Sequence, residues 1–367
     1  MKSDVYYCNL RTKNDDNRLD KLKRLIKTAG IGKIDFTDKF VAIKMHFGEP
    51  GNLAFLRPNY AKVVADVVKE MGGKPFLTDC NTLYVGGRKN ALDHLTSAEE
   101  NGFNSTTTGC HIIIADGLKG NDEALIPVEN GEYVKEAKIG RALADADVII
   151  SLTHFKGHEA TSFGGTLKNL GMGGGSRAGK MEQHCDGKPV VNQKLCIGCG
   201  ACKRICAHEG PQIVDHKCHI DHDKCVGCGR CLAVCPKNAI DNPNNDSNDR
   251  LDCKVAEYAK AVIQGKPSFH ISLIIEVSPN CDCHSENDAA IVPDIGFFAS
   301  SDPIALDRAC CDAVNKAQPI ETSIMGDVKK DGDNLHTNHP DTNWHVSLDH
   351  GEKIGLGSQD YRLITVK

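Results

Sequence analysis

The chain has few aromatic residues and no large excess of either charge. Aromatic side chains make up 5% of its 367 residues, Trp344 is the single tryptophan, and the net charge is −5. Without a basic surface or a series of stacking rings, the sequence gives no indication of binding to nucleic acid or to an anionic membrane. It also has no apolar run long enough to span a bilayer and no apolar signal segment, so we expect a cytoplasmic protein.

Cysteine, in contrast, is abundant. Eighteen cysteines would form a disulfide framework in a small secreted chain, but in a large cytoplasmic protein they indicate metal ligands that are kept reduced. Eight of them form two runs with the spacing Cys-x2-Cys-x2-Cys-x3-Cys, and each cysteine of the first run recurs 29 positions later. The alternative is two zinc knuckles, which need neither a third cysteine in the Cys-x2-Cys-x2-Cys spacing nor the Cys235-Pro236 ending. The repeat therefore predicts two [4Fe-4S] clusters.

The repeat also predicts which cysteine binds which cluster, because the fourth cysteine of each run in two-cluster ferredoxins binds the other cluster. The first cluster is then held by Cys196, Cys199, Cys202 and Cys235. The second is held by Cys225, Cys228, Cys231 and Cys206. Cys218, between the runs, is interpreted as a small buried apolar residue rather than as a ninth ligand. With seven Lys/Arg and five Asp/Glu, residues 190–241 are nearly neutral, which favours fixed intramolecular electron transfer over a diffusible carrier.

On both sides of the repeat, apolar segments alternate with amphipathic ones. Strands are predicted at residues 5–10, 40–47, 75–78, 111–115, 148–153 and 270–277, and helices at 17–29, 58–71, 89–100, 136–145, 253–263 and 303–316. This alternation is typical of an α/β domain with a mostly parallel sheet. We predict that this domain, residues 1–189 and 243–367, is interrupted by an inserted bacterial-type 2[4Fe-4S] ferredoxin-like module at residues 190–242.

Side chains that bind metals follow three of the predicted strands. Ligands of open α/β sheets bind at the carboxyl ends of strands, so we expect these side chains to meet at one rim. The prediction is a third site, for a further metal or an organic cofactor, that is formed by His46, His154, His158, Cys281 and Cys283. His154 and His158 would share a metal if their segment is helical. The alternatives are solvated loop histidines and two incidental thiols, or a redox-active dithiol at Cys281 and Cys283.

The segment 164–180 is rich in glycine. Its Gly-x4-Gly-Lys sequence, ending at Lys180, is similar to a P-loop, but Met181 replaces the Mg²⁺-binding hydroxyl and no strand directly precedes it. We instead expect a loop whose backbone amides bind an anionic group. The side chains expected to assist are Lys168, Arg177 and Lys180. The alternative is a flexible lid or a hinge that leads into the inserted module.

Several motifs together resemble those of the iron–sulfur proteins that are grouped under domain of unknown function 362. They are the strand ending at His46, His-Phe-Lys-Gly-His at 154–158, Gly-Gly-Thr-Leu-Lys-Asn-Leu-Gly-Met-Gly at 164–173, Asn-Cys-Asp-Cys at 280–283, Ile-Val-Pro-Asp-Ile-Gly at 291–296, Ser-Asp-Pro-Ile-Ala-Leu-Asp at 301–307, Asn343-Trp344 and Gly-Glu-Lys-Ile-Gly-Leu-Gly at 351–357. The resemblance covers nearly the whole chain. It implies the α/β architecture and two [4Fe-4S] clusters, and it implies no substrate.

These features lead to one main functional hypothesis and two alternatives. The main hypothesis is an oxidoreductase in which two [4Fe-4S] clusters pass electrons to an internal acceptor, a metal, a cofactor or a small anionic substrate on the α/β domain. The first alternative is a non-catalytic electron carrier or cluster-delivery subunit that serves a redox partner protein. The second is an anion-binding transferase whose clusters are structural or sense the redox state.

Overall fold

The computed structural model describes residues 2–84, 86–185, 189–206, 209–225, 230–241, 248–328 and 331–367. The strands are β1 (Ser3–Asn9), β2 (Phe40–Lys44), β3 (Lys74–Asp79), β4 (His111–Ile114), β5 (Glu123–Pro127), β6 (Glu136–Gly140), β7 (Val148–His154), β8 (Lys156–His158), β9 (Ser162–Gly164), β10 (Val190–Val191), β11 (Pro211–Val214), β12 (Lys217–Ile220), β13 (Ile240–Asp241), β14 (Ser268–Ile274), β15 (Gly296–Ser300) and β16 (Tyr361–Thr365). The α-helices are α1 (Arg18–Thr28), α2 (Pro58–Glu70), α3 (Ala91–Glu100), α4 (Ser105–Thr108), α5 (Arg141–Asp145), α6 (Thr166–Gly174), α7 (Arg177–Cys185), α8 (Ala201–Ile205), α9 (Arg230–Ala233), α10 (Asn248–Ile263), α11 (Pro303–Lys316), α12 (Asn334–Asn338) and α13 (His345–Lys353).

One eight-stranded sheet organises the molecule. Its strand order is β16-β1-β15-β14-β7-β2-β3-β4. Seven strands run in the same direction, and β15 alone is antiparallel to both of its neighbours. This arrangement confirms a mixed α/β fold with a mostly parallel sheet.

Helices cover both faces of the sheet, because its central strands are apolar on both sides. In β7, Ile149 packs into the hydrophobic core on one face, whereas Val148 and Ile150 pack into the core on the other. The first core includes residues of α6, α10, α11 and α13, and the second includes residues of α1, α2 and α3. None of the described helices is both long and apolar enough to cross a membrane.

Two predicted elements are wrong. The segment 136–145 was expected to be a helix, but its first half is β6, which pairs with β5 in an antiparallel hairpin, and only its second half is the helix α5. The glycine-rich segment 164–180 is not a loop but contains α6 and the start of α7. Its glycines allow close helix packing, since a Cβ on Gly171 would lie 2.1 Å from the carbonyl oxygen of Val255 in α10.

The cysteine-rich segment forms a small unit of its own. β10 pairs with β13 and β11 with β12, both antiparallel, and the short helices α8 and α9 lie between these strands in the chain. Its cysteines share a separate hydrophobic cluster with Leu83 and Met181 of the α/β domain. The small unit therefore packs directly on the larger domain.

Candidate functional site

A cavity of about 480 Å³ lies at the carboxyl ends of three neighbouring parallel strands. Lys44 ends β2, Asp79 ends β3 and His154 ends β7, and all three side chains line the cavity. Parallel α/β sheets place ligands at this edge because the strands end there and the loops that follow can diverge.

The cavity brings together most of the side chains that the sequence singled out. The predicted residues that line it are His46, His154, His158, Lys168, Lys180, Cys281 and Cys283. Arg177 is the one residue of the predicted third site and anion site that does not line this cavity. Its guanidinium donates to the carbonyl oxygen of Lys89, outside the cavity, so its predicted role in anion binding is not supported.

His154 is held in place rather than presented to a ligand. Its Nδ1 lies 2.9 Å from Oδ2 of Asp282, and its Nε2 lies 2.8 Å from the carbonyl oxygen of Ile275. Both ring nitrogens are therefore paired with oxygen atoms, so neither is available to a metal. Lys156 lies 3.3 Å from the same carboxylate of Asp282 and completes a buried charge network.

His46 and His158 present N–H groups to their surroundings. Nδ1 of His46 accepts from the backbone N–H of Gly48 at 2.9 Å, and Nδ1 of His158 accepts from those of Ala160 and Thr161, both at 3.1 Å. Burial lowers the pKa of each imidazole, so each ring is neutral and carries its one proton on Nε2. A nitrogen that carries a proton donates a hydrogen bond and does not bind a metal. His158 directs this N–H toward Cys281, whereas Nε2 of His46 is buried and has no hydrogen-bond partner in the described part of the chain.

The segment 156–158 is a strand rather than a helix, so the condition under which His154 and His158 would share a metal is not met. Among the described residues, here and in the cysteine repeat, no three His, Cys, Asp or Glu side chains are arranged to hold a metal ion. The donors of the cavity are suited instead to a ligand that accepts hydrogen bonds.

Cys281 is an unusual thiol because donors surround its sulfur. The thiol of Cys283 and the imidazole of His158 hydrogen-bond to it, and Nζ of Lys168 lies 3.3 Å away. The hydrogen bond from Cys283 is the largest of the effects that together hold the pKa of Cys281 well below its usual range. The same bond raises the pKa of Cys283. The pair is thus a thiolate beside a thiol at neutral pH.

More lysine and arginine side chains than carboxylates line the cavity. Lys44 lies 2.8 Å from Asp79, and Nε of Arg88 lies 2.7 Å from Glu49. Lys180 instead donates to the carbonyl oxygen of Gly175 at 2.6 Å, and no described carboxylate forms an ion pair with it. The charge of Lys180 acts on Asp79 and Asp116 without a direct ion pair, so an anionic ligand would be its direct partner.

The sequence interpretation missed Lys44, Arg88 and His184 of this cavity. One signal was available for Lys44, because a lysine in the middle of the apolar run at residues 40–47 must find a buried partner. Arg88 and His184 lie in polar segments that gave no comparable indication.

Predicted ligands of the first cluster lie together around a second, small cavity. It is lined by Cys196, Cys199, Cys202 and Cys235. Cys218 also lines it and is buried, with its sulfur 3.4 Å from that of Cys202. The backbone N–H of Cys218 donates to the sulfur of Cys196 at 3.3 Å, and that of Ala239 to the sulfur of Cys235 at 3.2 Å.

These four thiols come from two runs and match the number and type of ligands of a [4Fe-4S] cluster, although their present arrangement does not hold a single metal ion. Of the ligands predicted for the second cluster, Cys206, Cys225 and Cys231 are described and contain free thiols. Cys228 lies outside the described residues.

Glu159 and His284 form an ion pair at the rim of the main cavity, with Oε1 and Nε2 2.9 Å apart. Burial raises the pKa of Glu159, but the neighbouring His158 and the hydrogen bond from His284 outweigh it and lower the pKa from 4.5 to about 2. The same hydrogen bond raises the pKa of His284 above 6.5. The pair is therefore fully charged in mildly acidic solution.

This pair gives a pH-dependent prediction for Glu159→Gln. A lowered pKa makes the contribution of Glu159 to stability complete above pH 4.5 and lost as the pH falls toward 2. A raised pKa makes the contribution of His284 complete below pH 6.5 and lost as the pH rises through the folded-state pKa. We expect the variant to lower the thermal unfolding midpoint most between pH 4.5 and 6.5, as measured by calorimetry. An equal difference at every pH would contradict the assignment.

Two solved structures show a distant similarity to this chain. No curated protein matches it. The lactate racemase apoprotein from Thermoanaerobacterium thermosaccharolyticum is similar in structure at a TM-score of 0.41 and 10% identity, with 100% of this chain and 83% of that chain covered. A protein from Thermotoga maritima is similar at a TM-score of 0.33 and 13% identity, with 70% of this chain and 50% of that chain covered.

A family model gives the assignment by sequence. The model for a domain of unknown function, DUF362, matches residues 41–312, which include β2, the whole cavity-lining region up to His284 and most of α11. The matched segment is well over half of the chain. This chain therefore belongs to the DUF362 family.

Proposed function

We propose that the protein is an iron–sulfur oxidoreductase in which two [4Fe-4S] clusters exchange electrons with a small anionic molecule in the main cavity. The observation that carries this proposal is the position of Leu83. It is 2% exposed, lines the cavity and belongs to the hydrophobic cluster of the cysteine-rich unit. The cluster ligands and the cavity are thus separated by a shared wall.

A second contact supports the same proposal. Met181 of α7 is fully buried in the hydrophobic cluster of the cysteine-rich unit, and its neighbour Lys180 lines the cavity. One helix therefore contributes an apolar side chain to the hydrophobic cluster that includes several of the cysteines and a cation to the cavity. Clusters held by these thiolates would supply reversible one-electron transfer, and the protein would supply placement and charge.

An anionic substrate is favoured by the donors that the cavity leaves without carboxylate partners. Lys180 has no carboxylate partner among the described residues, and the buried Nε2–H of His46 has no acceptor. An unsatisfied buried donor is costly, so a ligand that accepts from it gains affinity. Such clusters and free thiols need reducing conditions, which fits the expected cytoplasmic location.

The proposal is tested on anaerobically purified protein by iron analysis and by electron paramagnetic resonance after chemical reduction. We expect about eight iron atoms per chain and reversible reduction, and about half of that iron in Cys199→Ala. Cys110→Ala, which removes a buried thiol outside the repeat, is the matched control and should keep all of the iron. Clusters that cannot be reduced reversibly would contradict both electron-transfer hypotheses and leave the transferase.

The choice between an enzyme and an electron carrier depends on the cavity. In an oxidoreductase, Lys180→Met should weaken the binding of the anionic substrate and leave the reduction potential of the clusters unchanged. A carrier needs no ligand in this cavity, so the same variant should then transfer electrons to a partner as well as the native protein does.

A further inference from the structure

We propose that Cys281 and Cys283 form a redox-active dithiol that reduces an anionic disulfide bound in the main cavity. The inference rests on the proposed function for the source of electrons. The dithiol itself stands on the geometry of the two sulfurs and can be tested without the clusters.

The two cysteines are brought together by a tight turn. The backbone N–H of His284 donates to the carbonyl oxygen of Cys281 at 3.1 Å, which closes a four-residue turn with the cysteines at its first and third positions. Their side chains hydrogen-bond to each other and both line the cavity. Cys281 is 3% exposed, whereas Cys283 is accessible to solvent through the cavity. Two thiols this close can form a disulfide after a small movement.

The side chain between the cysteines fixes the turn from behind. Asp282 does not line the cavity but is buried against His154 and Lys156, at 2.9 and 3.3 Å. Its carbonyl oxygen also accepts from the backbone N–H of Glu49 at 3.1 Å. Because alternate residues of an extended or turning chain point in different directions, anchoring Asp282 in the protein directs both sulfurs toward the ligand.

The two sulfurs have different roles because their surroundings differ. Lys168 lies 3.3 Å from the sulfur of Cys281, and the Nε2–H of His158 points at the same atom. Burial disfavours the charge of Lys168, but the Cys281 thiolate more than compensates and raises the pKa of this lysine. Cys281 is therefore the nucleophile, and Cys283, which holds its proton, is the resolving thiol.

The reaction balances with these two groups alone. The Cys281 thiolate attacks one sulfur of the substrate disulfide, the substrate S–S bond breaks, and one substrate thiolate leaves. Cys283 gives its proton to this leaving thiolate and then attacks the sulfur of Cys281, which releases the second substrate half as a thiolate. The products are one substrate thiol, one substrate thiolate and the Cys281–Cys283 disulfide. Two electrons, which the proposed clusters would supply, and one proton would then restore the Cys281 thiolate and the Cys283 thiol.

The cavity favours an anionic disulfide over a neutral one. Lys180 forms no ion pair with a carboxylate among the described residues, and the Nε2–H of His46 has no acceptor among them. Both residues line the same cavity as the dithiol. During the exchange Lys168 is also released from the thiolate, since the charge of Cys281 is lost when its sulfur forms a bond. The negative groups of the substrate and the leaving thiolate can then pair with these donors.

The first test is disulfide formation in the anaerobic holoprotein. The protein is equilibrated with mixtures of reduced and oxidised dithiothreitol, trapped with iodoacetamide and mapped by mass spectrometry. We expect the peptide that contains both cysteines to change reversibly from two alkylated thiols to none, with an internal disulfide. If both thiols remain alkylatable in every mixture, the dithiol proposal is overturned, whereas the iron and resonance measurements above are unaffected.

The second test uses two disulfide probes of different charge. Dithiobis(nitrobenzoate) is a dianion and dithiodipyridine is neutral. The reaction of interest is the fast one that is absent in Cys281→Ser, and we expect its rate to be higher with the dianion than with the neutral probe. Lys180→Met should reduce this ratio of rates about tenfold, because one favourable charge interaction is lost. Cys110→Ser, a buried thiol outside the cavity, should react as the native protein does. A fast reaction that persists in Cys281→Ser, or no preference for the dianion, would contradict the proposal.

Discussion

Replacing Gly157 by alanine is expected to displace the Cys281–Cys283 turn from the strand that supports it. A Cβ at this position would lie 2.1 Å from the carbonyl oxygen of Pro279 and 2.5 Å from the side-chain nitrogen of Asn338. The nearest of these is a backbone atom, which cannot rotate away. The backbone N–H of Gly157 also donates to the carbonyl oxygen of Ser278 at 2.9 Å. The two backbone segments must therefore separate to admit a methyl group.

The consequence should be the loss of the stabilised thiolate at Cys281. When the turn moves, the sulfur loses its contacts with His158 and Lys168, and its pKa should return toward the usual range. In the native protein we expect the alkylation rate of Cys281 to be nearly constant between about pH 6 and 9, because the thiolate is already formed. In Gly157→Ala the rate should rise about tenfold per pH unit over much of that range.

The matched control is Gly32→Ala, whose Cβ would meet only the end of Met71 at 3.8 Å. This substitution should leave both the alkylation profile and the unfolding transition unchanged. If Gly157→Ala keeps a flat alkylation profile, the support of the turn by strand β8 is not what stabilises the thiolate.

Glu257→Ala should cause the largest loss of stability among the substitutions considered. Glu257 is 0% exposed, and its carboxylate accepts from three backbone N–H groups, those of Glu132, Tyr133 and Val134, at 2.7, 3.2 and 2.6 Å. It also accepts from Nε2 of His350 at 2.9 Å. One side chain of α10 therefore holds the loop before β6 and the helix α13. Its removal leaves buried donors without acceptors, which should cost about 3–5 kcal/mol.

Urea unfolding of the anaerobic protein measures this loss. Glu257→Gln keeps the size and one acceptor oxygen, so it should lose less stability than the alanine variant. Glu70→Ala removes an exposed carboxylate that pairs with Lys23 and Lys27, and because solvent screens exposed ion pairs it should change the stability little. An equal effect of the alanine substitutions at the buried and the exposed position would show that the buried network does not stabilise the fold.

Much of the fold can be predicted from the sequence because it depends on local patterns. Pro58 begins α2 and Asp302 caps α11 through hydrogen bonds to the backbone of Ile304 and Ala305, both recognisable from the order of residues alone. The buried strands β2 and β7 are continuous apolar runs, which is the pattern of a parallel sheet covered on both faces. The two [4Fe-4S] clusters are likewise predicted from the spacing of the cysteines alone, without knowledge of the fold.

The glycine-rich segment shows where local reasoning fails. Glycine indicates a loop when only the sequence is considered, yet α6 uses Gly171 to approach the backbone of α10, which lies far along the chain. The helix predicted at residues 136–140 is wrong for a related reason, because the strand there is stabilised by pairing with β5 rather than by the propensity of its own residues.

For the site, the order of residues already shows which residue types follow the strand ends, and therefore that a polar rim with histidines and thiols exists. What those side chains can do depends on the contacts that they make in the folded protein. Backbone N–H groups donate to Nδ1 of His46 and of His158, which leaves the proton of each ring on Nε2. The carboxylate of Asp282 pairs with Nδ1 of His154, which is then not available to a ligand. Hydrogen-bond partners of a side chain depend on the folded positions of backbone and charges around it. A spacing that indicates a metal site can therefore become, in the fold, a thiolate with donors around it.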